Sequence, residues 1–295
     1  DANVGKMIRL RAGGQGAAWG PGDFGFLDPN KLAVDSAGPC AGLTGVQLDA
    51  CLIGAEGSIT QCFAQRGVDT EPGQKNGIET SIFNVRFDIY RTIMNGKRNN
   101  PDYAPAPNVI KGIVPQGGGS CIGNNADASP NSLGLPRDTC FDTGSCGRYG
   151  DGNWAAGRTA YVTSNYGGTD PHPAALTRYD YYKAEIAAHG GGGVATPILT
   201  ARAETGRPMC SSHQSADPDR RVVIAAGIDC VANPINGRAI GVPVNEFVRL
   251  FMTEPVGADA ASPSLIDLWV EVVGTAQSNG AGTTGVFHDV VQLYR

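Results

Sequence analysis

The chain has 295 residues and a formal net charge of −5, with only 17% charged residues. No basic stripe stands out, which argues against nucleic acid and anionic membrane surfaces as partners. Glycine (42) and proline (19) are plentiful, so turns and loops should outweigh long helices, and no run of ~20 apolar residues occurs that would span a bilayer.

In chain order, Met7–Arg11 reads as a strand, followed by the glycine-rich turn Gly13-Gly14-Gln15-Gly16. That turn does not fit the dinucleotide fingerprint, because Trp19 stands where the third glycine should be. Pro21 to Asp28 reads as a tight turn leading into a short strand. From Thr44 to Ile53, the positions Leu43, Val46, Ala50 and Ile53 fall at helical spacing, with Gly54 placed to end the helix. Ile82–Tyr90 alternates Phe83, Val85, Phe87 and Ile89 against Asn84, Arg86, Asp88 and Tyr90, which predicts a strand.

Residues 94–135 are the poorest in core formers and read as long surface loops or an insertion. A short strand is expected over Thr159–Thr163. A helix is expected over Ala174–Ala188, with Leu176, Tyr179, Tyr182 and Ile186 on one face and Gly190–Gly193 stopping it. The last quarter holds four apolar runs: Val222–Ile228, Phe247–Met252, Leu265–Val273 and Val286–Tyr294. In Leu265–Val273, Ile266, Leu268, Val270 and Val272 alternate with Asp267, Trp269 and Glu271, the period of a strand. Val222–Ile228 is continuously apolar, as in a central strand covered on both sides.

The fold class expected is α+β: a β-rich mixed sheet core with a few short helices and long disulfide-stapled loops. Residues 1–295 read as a single large domain, with a loop-rich insertion around 94–158 and a C-terminal sheet region at 220–295.

Eight cysteines, Cys40, Cys51, Cys62, Cys121, Cys140, Cys146, Cys210 and Cys230, are dispersed along the chain, with no Cys-x-x-Cys pair and no histidine at ligand spacing. That pattern opposes zinc or iron–sulfur ligation and predicts four disulfides and an oxidising compartment. Proximity pairs Cys140 or Cys121 within the middle group and Cys210 with Cys230, while the full connectivity stays open.

Sites of catalysis are not legible. His172, His189, His213 and His288 are isolated from one another, and neither a Gly-x-Ser-x-Gly elbow nor a Walker loop occurs. Ser120, in Gly117-Gly118-Gly119-Ser120-Cys121, reads as flexible loop. Asp127-Ala128-Ser129-Pro130-Asn131 misses the metal-site pattern Asp-x-Ser-x-Ser at its last position. Asp151 and Asn153 offer oxygens to Ca²⁺, but a calcium loop needs more acids than this, so no cofactor or metal is expected. Asp23 with Asp28, or Asp267 with Glu271, form an acid pair only on paper, since their spacing says nothing of their separation.

Several motifs spread over nearly the whole chain carry a resemblance. They are Pro21-Gly22-Asp23-Phe24-Gly25-Phe26-Leu27-Asp28, Asn84-Val85-Arg86-Phe87-Asp88-Ile89-Tyr90, Leu135-Pro136-Arg137-Asp138, Gly150-Asp151-Gly152-Asn153-Trp154, Thr177-Arg178-Tyr179, Arg220-Arg221-Val222-Val223 leading to Cys230, Val242-Pro243-Val244, Val270-Glu271-Val272-Val273-Gly274 and Gln292-Leu293-Tyr294-Arg295. Together they resemble the periplasmic part of TadG-like (TadE/G-related) proteins of the tight-adherence, or Flp, pilus machinery. The resemblance implies a bacterial envelope component, exported and non-enzymatic, with an N-terminal membrane helix that would precede Asp1. Its partners would be other protein subunits, including further copies of the chain in a filament, with membrane contact only through that upstream segment. It offers no catalytic residues to transfer. Many relatives carry a von Willebrand A module, which this chain lacks.

Two functional expectations follow. The first is an extracytoplasmic structural or assembly protein of a pilus-type system, acting by protein–protein contact in the periplasm, at the cell surface or outside the cell. The alternative is a secreted hydrolase or carbohydrate-binding domain, with Trp19, Trp154, Trp269 and the Tyr179–Tyr182 group lining a loop-assembled cleft.

Overall fold

Strand-forming runs that alternate in sequence need a partner on each edge and cover on at least one face, and the chain meets both needs by closing its sheet. The computed structural model describes residues 2–12, 22–32, 34–57, 67–71, 79–190, 196–257, 267–276 and 290–294. Its strands are β1 (Met7–Ala12), β2 (Asp23–Leu27), β3 (Val68–Glu71), β4 (Ile113–Pro115), β5 (Ala126–Ala128), β6 (Val222–Ile228), β7 (Ala239–Val242), β8 (Glu246–Met252), β9 (Asp267–Thr275) and β10 (Val290–Tyr294). Eight of them form one mixed sheet in the order β1-β9-β8-β6-β10-β2-β3-β7, and β1 also pairs with β2. That extra pairing turns β1-β9-β8-β6-β10-β2 into a ring. Along β2, Asp23 and Phe24 pair with Arg11 and Ala12 of β1, while Phe26 and Leu27 pair with Glu71 and Thr70 of β3. β2 therefore closes the barrel at its start and carries the two-strand extension β3–β7 at its end. The two remaining strands, β4 and β5, form a separate hairpin.

Alternation along each strand sorts the side chains. Ile8, Leu10, Ala12, Phe24, Phe26, Val223, Ala225, Val248, Leu250, Met252, Leu268, Val270 and Val272 all belong to one core cluster and fill the ring. Helices α1 (Gly45–Gly54) and α2 (Glu79–Asn84) pack against it, with Phe83 stacked on Phe26 at 6.3 Å between ring centroids. Outward residues meet a second layer. Val222 and Phe251 join Trp154, Tyr161 and Val162 of the segment carrying α4 (Ala155–Tyr166), and Tyr179, Tyr182 and Ile186 of α5 (Arg178–Ala188). The short α3 (Thr139–Asp142) precedes this pair. A third cluster, built by Leu27, Val68, Ala226, Ile228, Ile235, Val242 and Val244, lies under the β3–β7 extension.

The expected α+β class holds, and so do strands at Met7–Arg11, in Pro21–Asp28, at Val222–Ile228 and at Phe247–Met252. Among the described residues β9 covers Asp267–Thr275, two residues past the expected end at Val273, and its "polar" face is also buried, Trp269 at 4% exposure under Arg137 and Phe141 and Glu271 at 0% under the start of α5. Only Val290–Tyr294 of the last run lies in the described residues, as do none of Gly13–Gly16, Trp19, Cys62 and His288.

Three expectations are corrected. Ile82–Tyr90 is not a strand: α2 ends at Asn84, a 3₁₀ turn covers Val85–Phe87, and Asp88 is left-handed at φ 64°. Every residue from Ser81 to Tyr90 is buried, so the alternation of polar and apolar side chains did not separate inside from outside. Asn84, for example, is satisfied internally, exchanging hydrogen bonds with Val256. Thr159–Thr163 is helix, part of α4, closed by Gly167 in the left-handed C-cap position at φ 70°. The α1 helix is where it was expected, but it buries Leu48, Cys51 and Leu52, with Ala50, and leaves Val46 53% exposed.

Two further expectations need smaller adjustments. The expected helix over Ala174–Ala188 starts at Arg178, capped by Thr177, and Leu176 is 80% exposed rather than on the buried face. The 94–135 stretch is loop-rich but not merely surface. It buries Met94, Tyr103, Val109, Ile110 and Ile122, and holds β4 and β5.

Phe24 is fully buried inside the ring, in edge contact with Phe26 at 5.9 Å. Phe24→Ala should lower the unfolding free energy by about 3–5 kcal/mol in urea titration, and a loss below about 1 kcal/mol would mean the ring interior is not the core.

Candidate functional site

Acid pairs, aromatic platforms, thiols and open sheet edges are the features from which a site could be built. Each predicted acid is already matched to a cation. Asp23 takes Arg148 at 2.5 Å, and Asp267 takes Arg9 at 2.6 Å and Arg11 at 3.3 Å. Asp28 accepts from Asn30 through its backbone and side-chain nitrogens and from Arg238. Those donors hold its carboxyl below the usual range against the opposing pull of burial.

Glu271 and Asp138 share one guanidinium in the most deeply buried charge cluster. Arg178, Asp138 and Glu271 are each fully buried. Arg178 Nη2 donates to Asp138 Oδ1 at 2.5 Å, Nη1 to Glu271 Oε2 at 3.0 Å, and Nε to the Pro136 carbonyl at 2.5 Å. Glu271 also accepts the first backbone N–H groups of α5, from Arg178 and Tyr179, each at 2.9 Å. It thereby serves the free donors and positive end of a helix from the neighbouring strand. Asp138 Oδ2 accepts the N–H of Met7 at 3.1 Å and of Gly152 at 2.8 Å. A Cβ on Gly150 would sit 1.9 Å from that oxygen, so glycine is required there. These carboxylates have no capacity left for acid–base work; they join β1, β9, α3 and α5.

Asp138, Cys140 and Asp151 offer ligand atoms within 4.8 Å of one another, so this group was tested as a metal centre. Cys140 is bonded to Cys146, and Asp138 is saturated by Arg178, Met7 and Gly152. Asp151 instead accepts from the Asn153 N–H in its own turn. The donor set does not fit a metal, which needs deprotonated, available ligands.

The aromatic residues pack inward. Trp154 donates its indole N–H to the Leu176 carbonyl at 3.1 Å and meets Tyr181 edge-on. Trp269 lies between the Arg137 guanidinium at 3.8 Å and the edge of Phe141 at 4.9 Å. The two rings are 5% and 4% exposed, respectively. Tyr179 and Tyr182 pack on Phe251. His172 meets Tyr181 and Tyr166 edge-on, where burial lowers its pKa, while His189 Nδ1 lies 2.9 Å from the Glu185 carbonyl and His213 Nε2 3.1 Å from the Asn99 carbonyl. His189 lies near enough to His172 for its charge to oppose protonation of His172. Ser120 Oγ contacts only the neighbouring Cys121 sulfur at 3.9 Å among the described residues.

Sequence reasoning missed a buried acid, Glu185. It is fully buried and accepts from the hydroxyls of Tyr161 and Tyr166, each at 2.6 Å, and from Asn108 at 2.7 Å. Burial nevertheless pushes its carboxyl above the ordinary carboxylate range. One glutamate within a helix face of tyrosines gave no sign of this, because its donors come from α4 and from a loop 77 residues away.

Of the eight cysteines, six form Cys40–Cys51, Cys121–Cys210 and Cys140–Cys146. The Cys140–Cys146 link lies within the middle group as expected. The expected Cys210–Cys230 bond does not form: Cys210 is taken by Cys121, 89 residues away in sequence, and Cys230 is a buried thiol in the third core cluster. Removal from water pushes its pKa to about 12.

The open feature is the β3–β7 extension. β7 ends the strand order, and among the described residues no strand pairs with its far edge. Ile240, in the middle of β7, is 76% exposed, and Val231 nearby in sequence is 85% exposed. At its root lies a pocket of about 290 Å³ lined by Leu27, Asp28, Lys31, Leu32, Gly67, Val68 and Asp69. Asp69 and Thr70 bind β7 through their side chains, from Gly241 N–H at 2.8 Å and Ala239 N–H at 3.0 Å. No helix among the described residues is long and apolar enough to cross a membrane. No family model, curated protein or solved structure matches the chain.

Two measurements test this reading. Arg178→Met leaves two buried carboxylates without their cation and should cost about 3–5 kcal/mol in chemical denaturation. An exposed, replaceable contact would cost less than about 1 kcal/mol. For Glu185, the folded pKa is raised above its unfolded value near 4.3. Its contribution is therefore most favourable at acid pH and is lost as pH rises through the folded pKa. Wild type should lose stability relative to Glu185→Gln on going from acid to neutral pH; a parallel pair of stability–pH curves would show that the carboxyl is not perturbed.

Proposed function

We propose that the chain is an extracytoplasmic structural or assembly protein of a Tad (Flp) pilus-type system or surface filament, acting through protein–protein contact. The observation that carries this reading is the open edge of β7. A strand edge offers main-chain donors and acceptors to another strand, and proteins normally blunt such edges with charge, proline or cover. Here the middle of the edge strand presents Ile240 at 76% exposure on Ala239-Ile240-Gly241-Val242. Strand addition supplies affinity through the backbone and specificity through alternate side chains.

Two further features support the reading. Three disulfides suit an oxidising compartment, where such bonds persist. Buried charges are consumed in joining layers, with Arg178 serving two carboxylates at once. The motif resemblance to TadG-like proteins supplies the particular machinery. The partners are other subunits of the assembly, second copies of the chain among them.

Placing a photoreactive amino acid at Ile240 in the native cells should yield adducts with pilus or envelope subunits, at several times the yield from the comparably exposed Leu176 just before α5. Equal yields at both positions would remove β7 as the contact and the reading with it.

A further inference from the structure

The three disulfides sit in unlike surroundings. Cys40 and Cys51 are 0% and 1% exposed, inside the core cluster of α1, and Cys140 is buried at the start of α3. Cys121 and Cys210 are both partly exposed, whereas in Cys140–Cys146 only Cys146 is.

Their two sulfurs also differ electrically. Arg98, on the surface, donates from Nη1 to Cys121 Sγ at 3.9 Å, and Ser120 Oγ lies 3.9 Å from the same sulfur. Across the bond, the Cys210 backbone N–H is held by the Asp88 carboxylate at 2.7 Å. A thiolate on Cys121 would face a guanidinium, whereas one on Cys210 would form beside a carboxylate. In exchange chemistry the sulfur that better carries negative charge is the better leaving group.

We propose that Cys121–Cys210 is a thiol–disulfide exchange site for an external dithiol. The first thiolate of the dithiol attacks Sγ of Cys210. A new S–S bond forms there, the old one breaks, and its electron pair leaves on Cys121 beside Arg98. The second thiolate then attacks the external sulfur and expels Cys210 as a thiolate, and the Cys121 and Cys210 thiolates each take from water one of the two protons that the dithiol gave up. The dithiol ends as a disulfide, two electrons poorer, and the protein ends with two thiols.

Opening the bond does not release the segment that carries it. Asp88 accepts the N–H groups of Met209, Cys210 and Ser211 at 2.7, 2.7 and 2.8 Å, and Ser211 Oγ donates to the Arg98 carbonyl at 2.7 Å. Cys210 stays beside the Arg98 loop, so the same bond can reform. This makes the site a reversible covalent mark on the 205–215 segment rather than a step in unfolding.

The test exposes the full chain to dithiothreitol, and in a parallel arm to a reduced Cys-x-x-Cys oxidoreductase, at mildly alkaline pH and low salt. Samples are quenched in acid, alkylated and mapped by mass spectrometry. Cys121 and Cys210 should be labelled before Cys140, Cys146, Cys40 and Cys51, and oxidised glutathione should restore the original pairing. Reaction in the first arm alone assigns the site to small dithiols, and reaction in both extends it to protein dithiols. Arg98→Gln, with an unchanged melting temperature, should open about two- to fivefold more slowly, a difference that high salt erases. Another disulfide opening first, or Arg98→Gln opening at the wild-type rate, overturns the proposal.

Discussion

The architecture depends on one buried guanidinium. Arg178 begins α5, and its two carboxylate partners come from β9 and from the segment before α3. Burying three ionised groups costs several kcal/mol for each, and the arrangement is tolerable only because nearly every donor and acceptor is matched. Glu271 accepts two helix N–H groups as well as Arg178, and Asp138 accepts from β1 and from Gly152. The cluster thus fixes where the helical layer meets the barrel, in both position and direction, with a specificity that apolar packing alone lacks. The aromatic face of α5 then falls against Phe251.

Closing the ring has a second consequence. Six strands pair on both edges through β1–β2, which removes their edges from solution. Among the described residues, the unpaired edge of this sheet lies on β7, at the end of the two-strand extension beyond β2. Asp69 and Thr70 of β3 bind β7 through their side chains, and the third core cluster lies beneath the pair. Of the disulfides, Cys121–Cys210 joins two loops packed against the ring's core cluster, Cys140–Cys146 closes a loop at α3, and Cys40–Cys51 ties the approach to α1 onto it.

The sequence by itself determined the α+β class, the strands β1, β2, β6 and β8, the helices α1 and α5 to within a few residues, and the use of cysteines in disulfides. These rest on local physics: β-branched runs, glycine stops, helix caps, and the rarity of free thiols in such a pattern. Thr177, for instance, accepts from Asp180 N–H as a capping residue should. Tertiary structure alone decided the rest. Asn84, Arg86 and Asp88 look like the wet face of a strand, but all three are buried, and polar groups such as Asn84 and Asp88 can enter a core when distant partners serve them; Asp88 is served by N–H groups more than 120 residues away. The same long-range matching decided that Cys210 meets Cys121, that Glu271 is spent on Arg178, that Trp154 and Trp269 turn inward, and that the sheet closes on itself. Local spacing has no access to such meetings, since it sets which face a side chain takes but not what lies across from it.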